Sequence, residues 1–272
     1  MAEAKKDAAT SEKTEVANTV GTSISTQFLE GAGEGTGDFS QSDFTVPFIG
    51  VLQALSKPLQ KGHAKYIKSA EQGMFLNSAT QKTYSGDDGF IFVPVFFHHR
   101  YLEWAPNNGG IVNDWGNDPT FHDSIEVNDK YQRITPAGNE IVDAMEYFGL
   151  IVDLDTKTFE AAVLPFSKVF TKRAKKFNNL IRAHVEINNG KPVKPAIYFY
   201  AYKITTVPES NDKGSWYAHQ IEDFAKVPEW GEFGGQVFQA AKELRMSVAS
   251  GELKAAVEEP TNTDQGDGEG AF

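Results

Sequence analysis

Between Phe166 and Glu186 the chain reads FSKVFTKRAKKFNNLIRAHVE, and Lys168, Lys172, Arg173, Lys175, Lys176 and Arg182 concentrate positive charge there in a protein whose formal net charge is −11. Cations presented at this density along one rod suit one chemistry: displacing the counterions of a phosphate backbone, the sequence-independent part of nucleic-acid binding. Val169, Phe170, Phe177, Leu180, Ile181 and His184 recur at helical spacing, so the stretch is expected to form a helix with one packed side and a basic outer side. Ser167 stands where its hydroxyl could cap the first turn, and no Gly or Pro interrupts until Gly190 and Pro192. The competing reading is a solvated basic face with no ligand.

Single strands also need flat apolar surfaces on which bases stack, each base contributing about 1–3 kcal/mol. Phe97, Arg100, Tyr101 and Trp104 close the most apolar stretch, FIFVPVFFHHRYLEW, and a second aromatic group lies in AIYFYAYKITTV. Strand alternation puts Tyr198, Tyr200 and Tyr202 on one face and Ile197, Phe199 and Ala201 on the other. A face of tyrosines opposite a face of apolar residues is expected where one side is dry and the other wetted. Each aromatic read alone is more often core than platform. Further cations lie in Lys57–Lys68.

Other chemistries find less. His98 and His99 are adjacent, and neighbours on a strand point to opposite faces, so they do not readily share a metal. Asp153 and Asp155 could hold Mg²⁺ in a nuclease, but they also flank a DTKT turn, where Asp is favoured for its own backbone hydrogen bonds. GAGEGTGD, Gly31–Asp38, lacks the preceding strand, the following helix and the Gly-Lys-Ser/Thr ending of a phosphate loop. No serine-nucleophile, HExxH or Walker motif occurs, so neither enzymatic activity nor a cofactor or metal is expected. Cys is absent, which removes disulfides and thiolate sites and suits a reducing compartment.

The elements that must position these residues follow from composition. Residues 1–45 hold 3 Lys/Arg against 8 Asp/Glu, residues 46–207 hold 18 against 16, and residues 208–272 hold 5 against 13, so the acid sits at the ends and the middle is slightly basic. Residues 1–45 are expected to be a disordered arm, 46–250 a folded domain with a C-terminal helix, and 251–272 a flexible acidic tail. Strands are expected from Val46, at Gly73–Tyr84 as a hairpin, at Phe90–Trp104 with an edge position or bulge at Pro94, at Glu140–Leu154 and Phe159–Phe166 as a second hairpin, at Ala196–Val207 and at Ser215–Ile221. A helix at about Phe233–Ser250 would bury Val237, Ala241, Leu244 and Val248. The fold class is therefore mainly β with helices, α+β, and the order suits an OB-like antiparallel barrel carrying an inserted basic helix. No stretch has the length of a membrane span, and a cytoplasmic protein is expected.

An aromatic β-rich domain, a basic helix and a Gly/Asp/Glu-rich C-terminal arm ending in Phe272 together resemble the single-stranded DNA-binding proteins of bacteriophages, particularly the T7-like type. The resemblance spans about Val46 to Phe272, and its one local signature is the acidic tail with a terminal aromatic. It implies single-stranded DNA as partner, with little sequence preference, in replication or recombination in the host cytoplasm. It also implies that the tail, through Asp264, Asp267, Glu269 and Phe272, recruits replication proteins such as a polymerase or helicase and competes with DNA. From the basic cluster and the aromatic strands, Lys168, Lys172, Arg173, Lys175, Lys176, Arg100, Tyr101, Trp104, Tyr198, Tyr200 and Tyr202 are expected to carry the DNA contacts. Homodimerisation stays open, and the alternative from another class is a phage virion or assembly protein whose basic helix meets a subunit.

Overall fold

The computed structural model describes residues 45–106, 109–117, 125–129, 132–212 and 214–256. The expected N-terminal arm, save its last residue, and the tail residues Asp264, Asp267, Glu269 and Phe272 lie outside the described residues.

In chain order the strands are β1 (Thr45–Val46), β2 (Ile49–Val51), β3 (Phe75–Asn77), β4 (Thr83–Tyr84), β5 (Phe90–Trp104), β6 (Ile111–Asp114), β7 (Glu126–Val127), β8 (Arg133–Ile134), β9 (Glu140–Asp153) and β10 (Thr158–Ser167). Then come helix α1 (Thr171–Ala183), strands β11 (Glu186–Asn188), β12 (Lys191–Val193), β13 (Tyr200–Asn211) and β14 (Gly214–Lys226), helix α2 (Gly231–Ala249) and strand β15 (Lys254–Ala255). The chain is mainly β with an inserted basic helix and a C-terminal helix, as the sequence led us to expect. Its principal sheet curls into a half-barrel ordered β14-β13-β5-β9-β8-β7, with β10 on β9 and β6 on β5.

β5 is the spine. It is antiparallel to β9 from Ile91↔Val152 to Trp104↔Glu140 and to β13 at Phe90–Phe92. It is thus an interior strand, and Pro94 marks a bulge, not an edge: the ladder steps from Pro94↔Gly149 to Phe96↔Phe148 and leaves Val95 as the extra residue. A residue without an N–H is tolerated there, and the bulge adds the local bend that a curled sheet needs. Opposite it, Gly149 lets the Phe92 ring lie across the backbone; a Cβ there would fall 2.3 Å from Phe92 Cζ.

At the centre of this sheet both faces are dry. On one, Val93, Val95, Phe148, Leu150, Val152, Val163 and Ala201 pack with Val237, Ala241 and Leu244 of α2. On the other, Phe90, Phe92, Met145, Tyr147, Ile151, Leu164, Phe166, Tyr202 and Ile204 pack with Ala174 and Phe177 of α1. Burial on both sides explains why β5 and β9 read as near-continuous apolar runs.

Candidate nucleic-acid interface

α1 begins one turn later than the periodicity predicts. β10 runs through Ser167, a single 3-10 turn covers Lys168–Phe170, and Ser167 makes no side-chain cap; Thr171 Oγ1 instead donates to the Lys168 carbonyl at 2.9 Å. The inner face is pinned by Tyr147, whose hydroxyl lies 3.0 Å from the Ala174 carbonyl and 2.7 Å from Asn178 Oδ1. At the C-terminus Lys194 Nζ donates to the carbonyls of Arg182 (2.5 Å) and His184 (3.2 Å), satisfying orphan acceptors with the charge that the helix dipole favours there.

The outer face is where the basic residues divide. Lys172, Lys175, Lys176 and Arg182 are exposed, and among the described residues none has a carboxylate within ion-pair distance. Their spacing puts them on one stripe of the helix. Arg173, half-buried, is turned away to Glu209 of β13, which also accepts from Trp216 Nε1 at 3.1 Å. Lys168 lies 3.9 Å from Glu140.

The far end of β5 does not extend this positive surface. Arg100 is held by Asp114 (2.7 Å) and Glu146 (2.5 Å); burial opposes its charge, but the two carboxylates win and raise its pKa. Tyr101 is half-buried, its ring 4.8 Å from His99 and 5.6 Å from the Arg133 guanidinium. Trp104 is half-buried opposite Glu140. Glu103 is buried and accepts from Trp115 Nε1 (3.0 Å) and Asn139 Nδ2 (2.6 Å). Carboxylates match cations here, so the region is a structural polar network. His98 and His99 belong to it, near Glu146 and Asp143, and burial, with Arg100 next, lowers the pKa of His98.

The expected wetted row of three tyrosines does not form. Tyr198 lies on a 3-10 turn, Ile197–Phe199, not on the strand, and meets Phe238 of α2 edge-on at 4.8 Å. Tyr202 is 1% exposed, with Phe177 edge-on at 4.8 Å, so no base can reach its face in this fold. Tyr200 alone reaches the end of α1. Its ring stacks on His184 at 3.7 Å, its hydroxyl donates to Glu186, and burial together with that carboxylate pushes its pKa up to about 12. The physical reason is that α1 covers the face of β13 that carries Tyr202, Ile204 and Thr206, so the row faces a core, while the half-exposed face carries Lys203, Thr205 and Val207 instead.

Two features went unread in the sequence. The β13–β14 ladder steps from Ala201↔Ala225 to Tyr202↔Asp223, which leaves Phe224 as a bulged residue, 43% exposed, beside the Asp223–His184 contact of 2.9 Å at the end of α1. The signal was a break in alternation, Ile221 to Phe224. The second is His219 on β14, buried beneath α1 with the rings of Phe166 (4.6 Å), Phe170 (5.6 Å) and Phe75 (5.8 Å) around it. The loop that carries the cations of Lys57–Lys68 is rooted on the same strand: Gln53 bonds the backbone of Tyr217 in both directions, at 2.8 and 2.9 Å.

Asp153 takes the turn role. Its Oδ1 accepts from the backbone N–H of Asp155 (2.9 Å) and Thr156 (3.0 Å), and these bonds, Thr156 foremost, lower its pKa. Among the described residues no group of three or more His, Asp or Glu is arranged to hold a metal, and no helix is long and apolar enough to cross a membrane.

Residues 17–254 match the family described as Pam3 phage gp34-like protein, a span that starts inside the expected N-terminal arm and ends just inside the expected tail. No curated protein and no solved structure matches.

Proposed function

The chain belongs to the Pam3 phage gp34-like protein family and is a phage protein, and from that premise we propose that it binds single-stranded DNA with little sequence preference, along the outer face of α1, during phage replication or recombination. One observation carries the reading: Lys172, Lys175, Lys176 and Arg182 stand on one stripe with no carboxylate partner among the described residues, in a chain of net charge −11. In an acidic protein a surface kept this positive is suited to an anionic ligand, and local potential outweighs distant screened charge. Phe224, beside the Asp223–His184 contact at the end of α1, offers aromatic surface for bases. The acidic tail, through Asp264, Asp267, Glu269 and Phe272, recruits a polymerase or helicase on this reading. Fluorescence anisotropy with labelled single- and double-stranded oligonucleotides across a salt series tests it. Preferential single-strand binding that weakens with salt is expected; equal or absent binding to both refutes it.

A second reading, a virion or assembly protein, is favoured by the hairpin β11–β12. Asn189 (φ 51°) and Gly190 (φ 76°) make its two-residue turn, and it presents Ile187, 68% exposed, opposite Pro192, with the exposed Val185 two residues before it. Sedimentation of the chain alone separates the two: stable self-association lost on Ile187→Glu favours assembly.

A further inference from the structure

Between α1 and the edge strand β14 lies a cleft of about 260 Å³, walled by Phe177, Leu180 and Ile221 and floored by His219. His219 is 3% exposed, and among the described residues neither of its ring nitrogens has a hydrogen-bond partner. Buried polar atoms of this kind call for an explanation, because groups shut away from water are nearly always paired. Three phenylalanine rings fix the imidazole in place, so it cannot swing out to find a partner. Burial, with the Arg173 charge next, lowers its pKa to about 3, so it is neutral and carries one donor and one acceptor.

The mouth differs from the floor. Arg173, set by its pairing with Glu209, and the unpaired Lys176 stand on the helix side, while Glu222 and Asp223 stand on the strand side. Two carboxylates at the rim disfavour a free inorganic anion entering whole. The apolar walls and the neutral imidazole suit a ligand that is neutral, flat and polar-edged in its buried part, and Lys176 suits one that is anionic where it leaves along the helix side. β14 ends the sheet, and an edge strand presents unpaired N–H and C=O groups. The cleft, about 260 Å³, has room for a single flat ring system.

We propose that this cleft takes one unpaired nucleobase, its polar edge meeting His219 and its adjoining phosphate held by Lys176. The proposal rests on the single-strand reading and deepens it: the stripe on α1 tracks the backbone, and the cleft excludes duplex because a paired base cannot enter.

The test compares the full chain and its His219→Phe variant on a labelled single-stranded oligonucleotide and on the same oligonucleotide with abasic sites. His219→Phe fits the aromatic surround and removes both unpaired nitrogens, and a melt checks its fold. The intact oligonucleotide is expected to bind wild type about tenfold tighter than the abasic one, the scale of one good base contact, and His219→Phe to narrow that gap while leaving abasic affinity unchanged. Equal affinity of wild type for intact and abasic strands overturns the cleft while leaving the backbone reading standing, and so does a gap that His219→Phe leaves whole. Should neither oligonucleotide bind, the single-strand reading fails. The cleft is then decided by adding a deoxynucleoside monophosphate, or inorganic phosphate, and following the His219 ring resonances. A shift with the nucleotide alone supports the proposal; no shift, or the same shift with phosphate, overturns it.

Discussion

Neutralising Lys172, Lys175, Lys176 and Arg182 to Gln together is the perturbation that α1 makes most informative. Only these four enter, because Arg173 and Lys168 already face Glu209 and Glu140 and have less charge to offer a phosphate. If each meets one phosphate of a single strand, they contribute about 0.7 each, roughly 3 in all, to the slope of log affinity against log salt. Raising salt from about 50 to about 200 mM then removes roughly 50-fold in affinity through these contacts alone. Anisotropy over that range should therefore give the quadruple variant a slope shallower by about 3, with the largest loss of affinity at low salt. Stability should move the other way. The four side chains project from a helix whose packing is made by Ala174 and Phe177, and like charges three or four residues apart cost a helix about 0.2–0.5 kcal/mol per pair. The variant should melt at the same temperature or higher while binding worse. A folded variant with an unchanged slope refutes the assignment of DNA to this face.

Three further outcomes follow from particular contacts. Tyr202→Ala should cost about 3–5 kcal/mol in urea unfolding, as for other buried aromatics, whereas Tyr198→Ala on its half-buried 3-10 turn should cost clearly less; comparable losses would contradict the burial difference. His219, whose folded pKa falls to about 3 from an ordinary 6.5, binds fewer protons folded than unfolded, so its neutral form supports the fold above about pH 6.5. That support should be lost at about 1.4 kcal/mol per pH unit as pH falls from about 6.5 towards 3, and His219→Phe, in denaturation curves across that window, should flatten the dependence. Deleting residues 258–272 removes the carboxylates of Glu258, Glu259, Asp264, Asp267 and Glu269, so single-strand affinity should rise, by less as salt screens the tail. Equal affinity of full-length and truncated chains at low salt would reduce the tail to a solvated arm.

Much of the fold was legible because its signals are local. The β5 bounds, Phe90–Trp104, follow from an unbroken run of aromatic and β-branched residues, and the β9–β10 hairpin from Asp-Thr-Lys-Thr between two such runs. α2 was legible from its buried stripe, though it starts at Gly231, two residues before the periodicity does. What local pattern cannot carry is the identity of the second layer. β13 alternates in sequence, and alternation marks one wet face without saying which: α1 covers the side of Tyr202 and Ile204, and Lys203, Thr205 and Val207 stay half-exposed.

The same fact directs where a ligand can bind. At its centre, on β5 and β9, the sheet is dry on both sides and has no face left to offer, so the binding surface of an OB-like reading moves to what covers it: the outer stripe of α1 and the seam along the edge strand β14. Sequence reasoning found the stripe, since six cations at helical spacing are visible without coordinates. It could not sort them, because which cation is spent depends on distant carboxylates, Glu209 for Arg173 and Glu140 for Lys168, that only the fold brings near. Phe224 and His219 were missed for a related reason. One is exposed by a bulge and the other buried by a helix from elsewhere in the chain, so exposure and burial at those positions are tertiary facts that the residues around them do not encode.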